Sequence, residues 1–299
     1  MEEAPKPKVS IILPTHNRAQ YIFEAIESVQ QQTYTNWELF VVDDWSTDKT
    51  IEIFTKNISD NRIILIKTPY RLGITGTRNE GLRNVTGEFI AFIDSDDLWE
   101  KSKLEKQVNA FWEHPEAGYC LTGGYNFKRK NEPTQFFYKQ RTGQRYDDLF
   151  LSFFKSEVTA ATPSLVFRKE CLEKAGFFCE EIFFADLEYI LKLARLYKGI
   201  ILYELLVFRR IHESNISTAE WEKGYKEGIR IIKSHKHLLP SGISRNALFR
   251  LHMNTGEKYL GYKERIKAIR QFMKAWQSKP LSFLPIKKSS KAVLHLLKK

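Results

Sequence analysis

The chain has 299 residues, 42% of them hydrophobic and 13% aromatic, which is enough to bury one large core or two modest ones and excludes a disordered or fibrous class. The formal charge of +11 is not spread evenly: residues 222 to 299 hold 19 Lys and Arg against 4 Asp and Glu, so the remainder is net negative and no nucleic-acid partner is expected of it. Three cysteines, Cys120, Cys171 and Cys179, form no CxxC pair and suit a reduced protein better than a disulfide scaffold.

The N-terminus, MEEAPKPKVSIILP, begins acidic and lacks the basic start and apolar middle of a signal peptide. No stretch approaches the roughly 20 apolar residues of a membrane span. The expected location is therefore cytoplasmic, with any membrane contact peripheral and on the inner face.

Four short apolar runs come first: VSIIL (9 to 13), ELFVV (38 to 42), IILI (63 to 66) and FIAFI (89 to 93). They are continuous rather than alternating, as strands covered on both faces are. Between them lie helical patterns. Tyr21, Ile22, Ala25, Ile26 and Val29 repeat at helical spacing after Asn17, a suitable cap, and Ser46 or Thr47 offers the next helix start. Strand alternating with helix implies a mainly parallel, Rossmann-like α/β sheet with flanking helices.

The second half is less regular: YCLTGG (119 to 124), a polar basic loop through residue 145, SLVF (164 to 167), the helix ADLEYILKLARLY (185 to 197) and the strand GIILYELLVFRRI (199 to 211). From residue 221 the pattern becomes helical and basic. The expected organisation is a catalytic domain over residues 1–220, with a nucleotide-binding half near 8–100 and an acceptor half near 101–220, followed by a helical basic extension over 221–299.

In a doubly wound sheet, ligands bind at the carboxyl ends of the strands. Three polar clusters fall there: Pro14-Thr15-His16-Asn17-Arg18, Asp43-Asp44-Trp45-Ser46 and Asp94-Ser95-Asp96-Asp97. Carboxylates this close repel one another unless a cation sits among them. Mg²⁺ or Mn²⁺ takes one or two protein carboxylates while substrate phosphates fill other positions, so the third cluster suits a diphosphate-metal site. A cap for a helix starting near Glu100 needs one aspartate, not three. There is no GxxxxGK[ST], and Gly73, Gly76 and Gly81 do not fit GxGxxG, so neither a P-loop nor a dinucleotide fingerprint is present.

The ordered set VSIILPTHNR, FVVDDWSTDKT, GITGTRNEGLRNVTGEFIAFIDSDDLW and ADLEYILKL resembles the successive signatures of family 2 glycosyltransferases, over about residues 8 to 215. The resemblance implies the GT-A fold and inverting transfer of a sugar from a nucleotide donor, here one sugar per visit, since neither a QxxRW motif nor spanning helices appear. It implies nucleotide contacts from Thr15 and Asp44, with Pro14 and Asn17 shaping the loop; for Asn17 a helix cap is an equal alternative. Arg78 matches a position that faces the nucleotide, and a surface helix arginine is its rival. Asp94 and Asp96 match the pair that binds donor and metal.

Inverting transfer needs a base for the acceptor hydroxyl on the side away from the leaving phosphate. The resemblance points to Asp186, in Ala185-Asp186 where relatives carry Glu-Asp; a helix N-cap is the other reading. Glu188 is a weaker candidate. His212, in FRRIHESNIS, matches a histidine that touches metal or pyrophosphate, though it could equally be structural, with Arg209 or Arg210 as phosphate contacts. A UDP-sugar donor, a Mn²⁺ or Mg²⁺ cofactor and a glycan or lipid-linked acceptor in cell-surface polysaccharide synthesis follow from the same resemblance. The basic extension suits an anionic membrane surface, a subdomain closing over the site, or a homodimer contact. The competing functions are a nucleic-acid or membrane-binding adaptor using the tail, and a sugar nucleotidyltransferase, for which the loop PTHNRAQY is a poor match.

Overall fold

The computed structural model describes residues 6–130, 132–138, 141–182, 185–213, 215 and 219–297. The first four strands are β1 (Val9–Thr15), β2 (Trp37–Asp43), β3 (Ile63–Lys67) and β4 (Phe89–Phe92), alternating with helices α1 (Ile22–Gln30), α2 (Thr50–Asn57) and α3 (Gly73–Asn84). They pair in the order β3-β2-β1-β4, all parallel. Every residue of β1, β2 and β4 is buried, which explains the unbroken apolar runs. α1 covers one face through Ile22, Ala25, Ile26 and Val29.

β1 and β2 run further than their apolar residues, to Thr15 and Asp43, so both strands carry polar side chains rigidly at their carboxyl ends. Pro14 lies beyond Ile12, the last β1 residue registered with β4, where a missing N–H leaves no ladder bond unmade. α3 lies close on β1 because of Gly81: a Cβ there would stand 2.5 Å from Ile12 Cγ2.

The helix starts differ from the sequence expectation. α1 begins at Ile22 with Tyr21 as cap residue, so Asn17 does not cap it; α2 begins at Thr50, later than Ser46 or Thr47. The Asp48 carboxylate accepts the Thr50 amide at 2.9 Å, holding the chain in a turn ahead of α2. Past the aspartate cluster comes the short strand β5 (Leu98–Trp99), and α4 (Lys103–Glu113) starts only after it, so the aspartates cap no helix.

The sheet continues through β6 (Tyr119–Phe127), β7 (Pro133–Phe136), β8 (Gln144–Asp147), β9 (Val166–Arg168) and β10 (Gly199–Arg210), with α5 (Phe150–Phe154), α6 (Glu170–Ala175) and α7 (Ala185–Leu196) between them. Its full order is β3-β2-β1-β4-β9-β6-β10-β5, with β7 on β6 and β8 on β10. β9 runs antiparallel to both β4 and β6, so the sheet is parallel in its first four strands and mixed beyond. β7 falls inside the stretch expected to be a polar loop, and β8 begins within its last two residues.

Among the described residues the helices α8 (Trp221–Ser234), α9 (Ser241–Gly261), α10 (Arg265–Ser278) and α11 (Leu284–Leu297) follow. Their own core holds Met253, Tyr259, Ala268, Phe272 and Ala275. The contacts divide the chain into two compact units, one made of the residues up to Phe150 with Thr159–Asn215, the other of Leu151–Val158 with the C-terminal helices. Among the described residues no helix is long and apolar enough to cross a membrane.

Candidate active site

The carboxyl ends of β1, β2 and β4 lie side by side in the first unit, and each carries a buried polar atom with no hydrogen-bond partner among the described residues. These are Thr15 Oγ1, Asp43 Oδ1 and, just past β4, Asp97 Oδ2. Orphaned buried polar atoms are costly and uncommon, and a row of them along one sheet edge is where a polar ligand is expected.

The loops around this edge are fixed by one another. Asp44 N donates to Thr15 O at 2.8 Å, and the Asp44 carboxylate accepts the amides of Leu72 at 2.6 Å and Gly73 at 2.9 Å. Asp44 is thereby the anchor for the start of α3, where Gly73 takes φ +73°. Asn17, at φ 51°, accepts the Thr47 amide on its Oδ1 at 2.8 Å and donates its own N–H to Ser46 Oγ at 2.9 Å. It joins the loops after β1 and β2 instead of opening a helix. Trp45, also at positive φ, is 56% exposed beside these loops, with its indole N–H on Thr68 O at 3.0 Å.

Arg78 is the hub of the site. It is buried on α3, its Nη2 donates to Asp94 Oδ1 at 2.9 Å and its Nη1 to Asp186 Oδ1. Burial works against its charge, but the two carboxylates outweigh this and hold it protonated. Burial also pushes Asp186 up, yet the adjacent guanidinium leaves its carboxyl below the ordinary range. Asp94 goes the other way: burial raises it, and the nearby Asp186 and Asp96 offset what Arg78 gives back. The neighbouring Asn79 donates to Phe178 O at 3.0 Å and accepts Phe178 N at 2.9 Å, fixing the segment that leads toward α7.

Asp96 meets His212 directly, Oδ2 to Nε2 at 2.9 Å, with Arg18 Nε at 3.5 Å from the same oxygen. His212 is held by Asn215, whose Oδ1 accepts its amide at 2.5 Å, and its ring stacks on Tyr21 at 4.9 Å. Arg210 locks the same corner: its amide donates to Asp97 Oδ1 at 2.9 Å, its Nε to Asp96 O at 3.0 Å and its Nη2 to Glu24 at 3.0 Å. Asp97 is pushed well above the ordinary carboxylate range, by burial and then by Asp96 and Asp94. Arg209 acts electrostatically on both Asp97 and Asp186.

Among the described residues no three His, Cys, Asp or Glu side chains converge closely enough to cage a cation by themselves. The donor set nevertheless fits a hard divalent ion that draws its other ligands from a diphosphate. Asp96 and His212 are in contact, Asp94 lies within the field of Asp96, and burial of the clustered carboxylates raises Asp94 and Asp97.

The structure thus gathers Thr15, Asp44, Arg78, Asp94, Asp96, Asp186 and His212 in one unit. Glu188 instead pairs with Lys192 at 3.3 Å, and Trp99 is core, its indole N–H on Pro163 O. Ser217, the last residue of FRRIHESNIS, lies outside the described residues. Sequence reasoning placed Arg18 at this edge without a role and missed Tyr21 and Asn215 as site-builders. Tyr21 looked like the first apolar residue of α1, and only its position three residues after the PTHNR cluster could have marked it.

Residues 10–175, more than half of the chain, match Glycosyl transferase family 2. The chain belongs to this family. It is 48% identical over 101 residues to the UDP-Glc:α-D-GlcNAc-diphosphoundecaprenol β-1,3-glucosyltransferase WfgD of Escherichia coli, a match covering 34% of this chain and 40% of that relative. The matches to the first four curated relatives span 40% to 57% of those proteins' lengths. Among solved structures, S. aureus TarS 1-349 in complex with UDP-GlcNAc superposes with a TM-score of 0.64 at 20% identity, covering 91% of this chain and 81% of that one. The mannosyltransferase PcManGT of Pyrobaculum calidifontis, in complex with GDP-Man and Mn²⁺, gives 0.62 at 20% identity over 97% of this chain and 81% of that one. At these identities the likeness shows the shared fold.

Proposed function

We propose that the chain is an inverting glycosyltransferase that moves a single sugar from a UDP-sugar to a glycan or lipid-linked acceptor in cell-surface polysaccharide synthesis. The observation that carries this reading is the Asp94–Arg78–Asp186 arrangement. One guanidinium spans a carboxylate at the end of β4, among the acidic and imidazole groups suited to a diphosphate, and a second carboxylate at the start of α7. In inverting transfer the leaving group and the base stand on opposite sides of the sugar carbon, and two carboxylates separated by one guanidinium offer that division of labour.

Each residue then has a part. Thr15, with its unpaired hydroxyl, and Asp44, with lone pairs left after anchoring α3, contact base and ribose, while Pro14 and Asn17 set the loop. Arg78 keeps Asp186 ionised, so that its carboxylate accepts the proton of the acceptor hydroxyl as the new glycosidic bond forms. Asp94, Asp96 and His212 would hold a Mn²⁺ or Mg²⁺ ion, which when bound neutralises charge on the leaving diphosphate. WfgD is named for a UDP donor and a diphosphoundecaprenol acceptor, and PcManGT for its complex with Mn²⁺; both support the reading by likeness.

The experiment is to incubate the protein with Mn²⁺, a panel of UDP- and GDP-sugars and pyrophosphate-linked lipid acceptors, following nucleotide release and the anomeric configuration of the product. Inverted product from one UDP-sugar is expected. Retained configuration, or turnover unchanged in Asp186→Asn, would contradict it.

A further inference from the structure

The turn between α10 and α11 presents two large apolar side chains almost wholly to solvent. Leu281 is 92% and Phe283 80% exposed, and Leu284 and Ile286 extend the surface onto the first turn of α11. The turn is held by its own backbone: Ser282 N donates to Lys279 O at 3.0 Å and Lys287 N to Phe283 O at 3.0 Å. Single exposed apolar residues are ordinary, but several grouped on one ordered turn mark an interaction surface.

The charge around the turn narrows the partner. From Arg265 to Lys299 the sequence holds ten Lys or Arg and no Asp or Glu. Lys279 and Lys287 are exposed on either side of the apolar tips, while Lys288 is occupied by Glu257 at 2.7 Å. A partner that satisfies both features needs an anionic face with an apolar interior directly behind it. A nucleic acid offers the charge but nowhere to bury Leu281, and a second copy of this basic stretch would meet like charge. An anionic lipid leaflet offers both.

We propose that this turn docks on an anionic lipid surface, inserting Leu281 and Phe283 between headgroups and laying Lys279 and Lys287 against their phosphates. Such docking does not depend on the sugar-transfer chemistry and stands or falls separately from it.

The test is co-sedimentation of the full chain with vesicles of phosphatidylcholine alone and of phosphatidylcholine mixed with phosphatidylglycerol. Binding to the mixed vesicles only is expected. The double variant Leu281→Ser, Phe283→Ser should partition at least about tenfold more weakly. Lys279→Gln and Lys287→Gln should each cost about fivefold at low salt, less as salt rises. All four positions are exposed, and unchanged thermal melts of the variants serve as the folding control. Equal binding to neutral vesicles, no binding to either, or a serine variant that sediments like the parent would overturn the proposal. So would a dimer dissolved by the serine pair with vesicles left unbound, or binding to a DNA duplex but not to vesicles.

Discussion

Arg78 and Asp186 lie 108 residues apart in the chain and form a buried-side ion pair whose other arm, Arg78 Nη2, reaches Asp94 at 2.9 Å. The pairing makes one arginine answerable for two carboxylates. It keeps Asp186 charged and limits the rise in Asp94 that burial and neighbouring acids impose. It also joins α3 to α7 across the sheet edge.

Replacing Arg78 should therefore cost stability as well as binding. Arg78→Lys supplies one point charge where a fork spans two acceptors, and Arg78→Ala leaves two acidic groups without their common partner. Chemical denaturation should show a loss of about 3 kcal/mol for the alanine variant, less for lysine. Stability equal to the parent in both would mean the fork is incidental.

Asp96 and Asp186 should separate kinetically. Asp186→Asn preserves shape and removes the base, so kcat should fall about 10²- to 10⁴-fold with nucleotide affinity nearly unchanged. Asp96→Asn should weaken metal-dependent nucleotide binding instead. Steady-state kinetics with calorimetry on both variants checks the split; identical effects from the two would deny them different roles.

Lys103 gives a pH signature away from the site. It is fully buried, with Nζ donating to Gln107 Oε1 at 2.7 Å and lying 3.9 Å from the Trp99 ring centre, and burial pulls it down from 10.5 to about 7. Its folded value is depressed, so between about pH 7 and 10.5 the unfolded chain binds the extra proton and stability rises with pH. Cys120, raised by burial from 9.0 to about 12, opposes this above pH 9, so the clean window is pH 7 to 9. Lys103→Met should flatten the profile, removing on the order of 2 kcal/mol of rise across that window. Parallel urea melts at several pH values measure it, and parallel slopes for parent and variant would refute the assignment.

Gly81, within GTRNEG, serves packing and not phosphate binding. Gly81→Ala should force α3 away from Ile12 and cost about 1–3 kcal/mol. The nucleotide affinity of the folded fraction should stay within a few-fold of the parent, which calorimetry corrected for active protein can test.

The sequence made the first half of the fold readable because β1, β2 and β4 are covered on both faces and so appear as unbroken apolar runs. β7, with every residue exposed, carries no such pattern, and SLVF marks only the start of the three-residue β9. The local parts of the site were legible as polar residues at strand ends. Its long-range contacts were not legible in the residues themselves: the resemblance put Asp96 and His212 at one metal, but nothing in DSDD indicates that Asp96 will meet His212, 116 residues on, or that Asp44 will be drawn to two amides of α3. The helix-cap alternative for Asn17 fails for a related reason, since its side chain bonds forward to the loop after β2.

The central claim is that the carboxyl edge of this sheet binds a nucleoside diphosphate with a divalent cation. It is tested most directly by calorimetric titration of UDP and GDP into the protein with Mn²⁺, with Mg²⁺ and with EDTA, repeated on Asp96→Ala. Metal-dependent binding of UDP, lost in EDTA and in the variant, is the expected result. No binding of either nucleotide to folded protein under any of these conditions would contradict it.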